Sequence, residues 1–176
     1  MLRDLIIISF MATILVVQEE ALSFIPSFQF TFFLIITYSV VFGFKKTFLI
    51  ITIHVLLDNF FMGTFNLFTI VPMMFTYTLL SGTIAFFKIK KPIPLAFLSI
   101  LFSIIYAVSF IPFGIYILDI KLKQYIIADI PYDLVLICTN FLLVLWAYEP
   151  LKKVLDMLIL DYKFNPNYDK TNDIEE

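Results

Sequence analysis

Apolar residues gather in long runs separated by short polar breaks, at about Leu5–Val17, Phe30–Phe44, Thr47–Phe61, Phe65–Phe87, Leu95–Leu118 and Pro131–Tyr148. Period-two alternation is absent and Leu, Ile and Phe dominate, so the runs predict helices rather than barrel strands. A bilayer-spanning helix needs about 17 to 25 apolar residues. The last three runs fit that length, and the first three draw on flanking polar residues to reach it. The predicted fold is therefore all-α: a six-helix transmembrane bundle over residues 1–160. A polar cytoplasmic tail over 161–176, low in apolar content, is expected to be disordered.

The breaks alternate in charge. Arg3, Lys45 with Lys46, Lys88 with Lys90 and Lys91, and Lys152 with Lys153 occupy every second one. Glu19 with Glu20, Asp58, and a mixed loop of Asp119, Lys121, Lys123, Asp129 and Asp133 occupy the others. By the positive-inside rule this predicts a multi-pass cell-membrane protein with both termini cytoplasmic.

Composition supports the same class. The chain has 176 residues, 61% of them hydrophobic and 15% charged, and a soluble domain of that size cannot bury so much apolar surface. The N-terminal run lacks the small residues a signal peptidase needs, so it is expected to remain as the first span. Cys138 is the sole cysteine, which excludes an intrachain disulfide. No phosphate-cradling glycine loop and no nucleophile–base arrangement occurs, so an enzyme is not expected. The basic residues are scattered over the membrane boundaries, which argues against nucleic-acid binding.

Polar side chains inside apolar runs are costly, and each is a candidate functional group. His54 and Asp58 stand four apart and share a helix face, with Asn59 beside them. Asp129 and Asp133 are likewise four apart, and Asn140 lies two turns beyond Asp133 on nearly the same face. With Glu20 and Gln29 around the first loop, these residues outline an outward-facing pocket. Simpler roles compete at every position. The acids also suit solvated interface positions, Asp133 suits a helix N-terminus, His54 suits a structural pair with Asp58, and Asn140 suits an inter-helix hydrogen bond. No metal site is expected, because His54 and Asp58 have no further ligand at metal spacing. Pro72 and Pro112 fall inside apolar runs, where they either kink the helix to open a cavity or simply pack.

The last apolar run carries the elements Ile130-Pro131-Tyr132-Asp133, Asn140-Phe141 and Pro150-Leu151-Lys152-Lys153. Their order and spacing resemble the last span of the substrate-binding subunits (S components) of energy-coupling factor transporters. Looser likeness extends to Ala21–Phe28, Val41–Lys46 and Val55–Gly63, so that matched pieces are spread over most of the chain up to Leu155. The resemblance implies capture of a vitamin or related micronutrient outside the cell. It further implies association with a transmembrane coupling subunit and two cytoplasmic ATPases, the ATP being hydrolysed by those partners and no cofactor held by this chain. It implies ligand contacts at Glu20, Gln29, Asp58, Asn59, Asp133 and Asn140.

Members of that family often dock through an Ala-x-x-x-Ala pattern on the first span. Here Ser9 with Thr13, plus Ala12, stands in its place. The cobalt and nickel branch begins with a metal-binding histidine, and this chain begins Met-Leu-Arg. An alternative is the small membrane subunit of the rod-shape machinery, whose Leu-Asp…Gly element Leu57-Asp58…Gly63 resembles.

Overall fold

A computed structural model describes residues 2–25 and 27–164 of the chain. Pro26 and residues 165–176, which hold most of the expected tail, lie outside the described residues.

The described chain is all-helical: α1 (Leu2–Leu22), α2 (Thr31–Phe61), α3 (Leu67–Phe87), α4 (Pro92–Ser109), α5 (Ile111–Tyr116) and α6 (Leu122–Phe164). Five stretches are long and apolar enough to cross a membrane, α4 and α5 together forming one of them. The difference from the six expected lies in α2, which joins the second and third expected spans into one element of 31 residues.

That element is not straight. Gly43 has φ 75° and ψ 171°, far from helical values. Thr31 Oγ1 accepts from Gln18 Nε2 at 2.8 Å, near the end of α1. Lys46 pairs with Asp4 at the start of α1. A straight helix would carry His54 about 12 Å further from Gln18 than Lys46 already is. Instead His54 lies 3.1 Å from Glu19, beside Gln18. Contacts with α3 agree: the rings of Phe32 and of His54 both meet Tyr77, one on each side of the bend. The chain therefore reverses at Gly43, and α2 is two antiparallel limbs.

The last helix also departs from expectation. It was predicted over Pro131–Tyr148, yet α6 runs 43 residues from Leu122 to Phe164, straight through Pro131 and Pro150. Each proline frees one carbonyl a turn back, at Ile127 and Trp146, a loss that membrane helices tolerate where neighbours or water satisfy the carbonyl. At about 1.5 Å per residue α6 is more than twice as long as the hydrocarbon core is thick. Pro112 sits in the first turn of α5, where its missing N–H costs nothing. The break between α4 and α5 falls just before it.

The core lies where α1, both limbs of α2 and α3 meet, around Leu15, Ile35, Ile36, Ile50, Ile51 and Leu80, all fully buried. α4 and α6 form an antiparallel pair beside it. Tyr148 donates to the Lys90 carbonyl at 2.8 Å, and Phe97 meets Phe141. At the far end of the pair, Gly114 lies so close to the Tyr125 ring that an added Cβ would be 2.1 Å from it. Only 17% of the α6 span is buried, against 28–33% for the other four. Its outer face, with Leu134, Leu142 and Trp146 exposed, is left to lipid or a partner.

Two ends of opposite character result. Lys45, Lys46, Lys88, Lys90, Lys91 and Lys152 collect at the end bearing the Gly43 reversal. Glu19, Glu20, Asp58, Asp119, Asp129 and Asp133 collect at the other, together with Lys121 and Lys123.

Candidate functional site

The acidic end is built from the close of α1 and the second limb of α2. Gln18 fixes their register: its Nε2 donates to Thr31 Oγ1 at 2.8 Å and its Oε1 accepts from the Phe30 amide at 2.9 Å. This closes the 23–30 connection onto the start of α2 and turns the next residues of α1 inward. Glu19 then reaches His54, which is fully buried; the oxygen-to-nitrogen separation is 3.1 Å, without hydrogen-bond alignment. Asp58, one turn further along α2, is 6% exposed. It lies in electrostatic reach of Glu19, His54 and Glu20. Four ionisable groups from two helices thus form one cluster within the bundle.

An aromatic wall closes the other side. Tyr77 of α3 and Tyr106 of α4 stack with ring centres 5.6 Å apart and planes at 17°. Phe32 meets both edge-on, at 5.3 and 5.5 Å, and Phe110 meets Tyr106 at 4.8 Å with the rings tilted by 47°. Glu19 and Asp58 are within electrostatic reach of both tyrosines. Several polar atoms here have no hydrogen-bond partner: His54 Nδ1, Asp58 Oδ1 and Glu20 Oε1 are all buried and unmatched. Buried polar groups are nearly always paired, so unmatched ones call for an explanation. Glu20 also lines a shallow depression with Val16, Val17, Ala21 and Phe61.

No protein-family model, curated protein or solved structure matches this chain.

The residues expected to bind ligand come from α1, the connection after it, α2 and α6. Glu20, Asp58 and Asn59 come together at the acidic end. Asn59, however, has its groups engaged: Nδ2 donates to the Val55 carbonyl at 2.9 Å and contacts Met73 Sδ at 3.3 Å, and Oδ1 accepts from Thr64 at 3.3 Å. It ties the end of α2 to the turn that leads into α3. That turn continues through Gly63, at φ 66°, to Asn66, whose side chain caps α3 by accepting from the Thr69 amide at 3.1 Å. Gln29 is half-buried in the connection after α1.

Asp133 and Asn140 lie on α6. Asp133 is half-buried and in electrostatic reach of Asp129 and Tyr125. Asn140 is fully buried and donates to Ser103 Oγ at 2.9 Å across the α4–α6 seam. This bond is expected to be worth about 0.6–2 kcal/mol in a membrane interior. Asn140→Ala and Ser103→Ala should therefore be non-additive by that amount in a double-mutant cycle of thermal unfolding in detergent. Fully additive losses would contradict the pairing.

On α1, Ser9 and Thr13 face outward, with Thr13 Oγ1 bonded to the Ser9 carbonyl at 2.8 Å. Ala12 is fully buried and packs inside the bundle, which leaves Ser9 and Thr13 as the exposed part of that surface. Among the described residues no group of three or more His, Cys, Asp or Glu is placed to hold a metal ion.

Spacing makes His54 a candidate to pair with Asp58 and Glu19 a candidate interface acid. The partner closest to His54 is Glu19. Spacing within one helix reveals i,i+4 neighbours, whereas the α1–α2 contact depends on the reversal at Gly43. Tyr77 and Tyr106 carry no signal of their own among so many aromatic residues.

Proposed function

We propose that this chain is the substrate-capturing membrane subunit of an energy-coupling-factor importer, taking up a vitamin or related micronutrient. The observation that carries the reading is the burial of Glu19, His54 and Asp58 against an aromatic wall at one end of a membrane bundle. Ionisable groups at such depth are costly and mark substrate or ion sites. A purely structural subunit has no need of unmatched carboxylate oxygens there. The ordered elements of α6, Ile130–Asp133, Asn140-Phe141 and Pro150–Lys153, support the same reading.

In this account the two limbs of α2 cross the bilayer separately, giving six crossings, the short first limb doing so where the bilayer thins around it. The lysine-rich end faces the cytoplasm with both termini, and the acidic end faces outward. Substrate enters at the acidic end. Ser9 and Thr13 meet the transmembrane coupling subunit, where small residues permit close helix approach. Two ATPases bound to that subunit supply the energy, and this chain performs no chemistry.

The test is mass spectrometry of small molecules retained by the protein after purification in mild detergent. A single vitamin-like compound, near one equivalent per chain and lost on Asp58→Ala substitution, is the expected result. Purification with rod-shape or cell-wall partners and no retained compound would support the rod-shape alternative instead.

A further inference from the structure

The charge of the buried cluster is unbalanced. Glu19, Glu20 and Asp58 face a single histidine, so even a protonated His54 leaves an excess of negative charge when the acids are ionised. Lys121 and Lys123, the lysines at this end, are both exposed to the surroundings. Isolated buried charge is among the costliest arrangements a protein can hold. The unmatched oxygens, Asp58 Oδ1 and Glu20 Oε1, accept hydrogen bonds and cannot donate them when ionised. Asp58 is 6% exposed and His54 0%, so water at the surface does not serve them. Next to them stand Tyr77, fully buried, and Tyr106, partly exposed; aromatic faces attract cations, and the uncovered part of Tyr106 accepts a further flat ring by offset stacking.

We propose, resting on the importer reading, that the Glu19–His54–Asp58 cluster with the Tyr77–Tyr106 stack is the substrate site, and that the substrate is a small organic cation bearing an aromatic or heteroaromatic ring. Its N–H groups donate to Asp58 Oδ1 and Glu20 Oε1, and its charge offsets the excess of the acids. Its ring stacks on Tyr106, the partly exposed member of the tyrosine pair. An anion would add to the repulsion, and a neutral ring would leave the carboxylates uncompensated. A divalent metal lacks a three-ligand group among the described residues.

The experiment uses the full-length chain in lipid nanodiscs and three probes of one shape: benzylammonium, benzyl alcohol and benzoate. Binding is read by calorimetry and by the shift in unfolding temperature. Benzylammonium should bind and stabilise, while the alcohol and the carboxylate should do neither. Asp58→Asn should weaken benzylammonium about 30-fold or more, as for loss of one side of a desolvated charge pair.

Because Asp58→Asn also alters a buried contact, Glu20→Gln serves as a second variant at a half-exposed position and should also weaken binding. Tyr106→Phe should retain affinity where Tyr106→Leu loses it. No response to benzylammonium, an equal response to the alcohol or benzoate, or wild-type affinity in both acid variants would overturn the proposal. The two readings fail separately. Coupling partners recovered with an anionic or neutral retained molecule would overturn the cation site alone. Cation selectivity without coupling partners would overturn the importer reading alone.

Discussion

His54→Leu is expected to lower the unfolding temperature by roughly 6 to 12 °C. The substitution keeps volume in a fully buried site but strands Glu19, whose side chain is 13% exposed and whose carboxylate lies 3.1 Å from the ring. Removing one partner of a buried pair costs about 3–5 kcal/mol, because the other is left uncompensated. Taking about 3 kcal/mol, and about 2–4 °C per kcal/mol for a chain of this length, gives the stated range. Adding Glu19→Gln should restore part of the loss, since the stranded group is then neutral. Differential scanning fluorimetry on the two variants and the double variant measures this. A single variant within 1 °C of wild type would mean that the contact contributes nothing.

The second large effect is expected at Gly43. Its φ of 75° with ψ of 171° lies in a region open essentially to glycine alone. Nothing lies within 4 Å of a Cβ built there, so the cost of a side chain is backbone strain, not collision. Gly43→Val should destabilise the bundle by about 1–3 kcal/mol and reduce the yield of folded protein. Gly82→Ala is the matched control. That glycine sits in regular helix, and an added methyl would rest 3.6 Å from the Phe44 ring, an ordinary contact. It should be neutral or stabilise by about 0.5–1 kcal/mol. Equal tolerance of the two substitutions would argue that the reversal at Gly43 is not fixed by its dihedral angles.

Much of this architecture is legible in the amino-acid pattern because membranes impose simple rules. Run length and the lack of alternation gave helices. Alternating charge at the breaks divided the chain into a basic and an acidic end, and the structure gathers those residues in the same two groups. Gly43 with Lys45 and Lys46 marked a turn, and the chain reverses there. The turn is so tight that helix continues on both sides of it, which is why one element replaces two.

The extent of α6 was not legible. Proline normally ends a helix, yet Pro131 and Pro150 lie within this one. A local rule gives way when surrounding groups satisfy the freed carbonyls.

The buried cluster around His54 was legible only in part. His54 and Asp58 stood out because their spacing puts them on one face of an apolar helix. Glu19 did not, since its burial follows from how Gln18 anchors the loop to Thr31 and Phe30. Asp133 and Asn140 share a helix with the most distinctive motif of the sequence. Asn140 is bonded to Ser103, a contact that no spacing on a single helix can reveal.

The account rests on capture of a substrate for import by partner proteins. Its most direct test is purification of the tagged chain from its native membrane in mild detergent, followed by mass spectrometry of everything that accompanies it. The account predicts a transmembrane coupling subunit, a pair of ATPases and a vitamin-like small molecule. Recovery of cell-wall elongation partners alone, with no ATPase and no retained ligand, would contradict it.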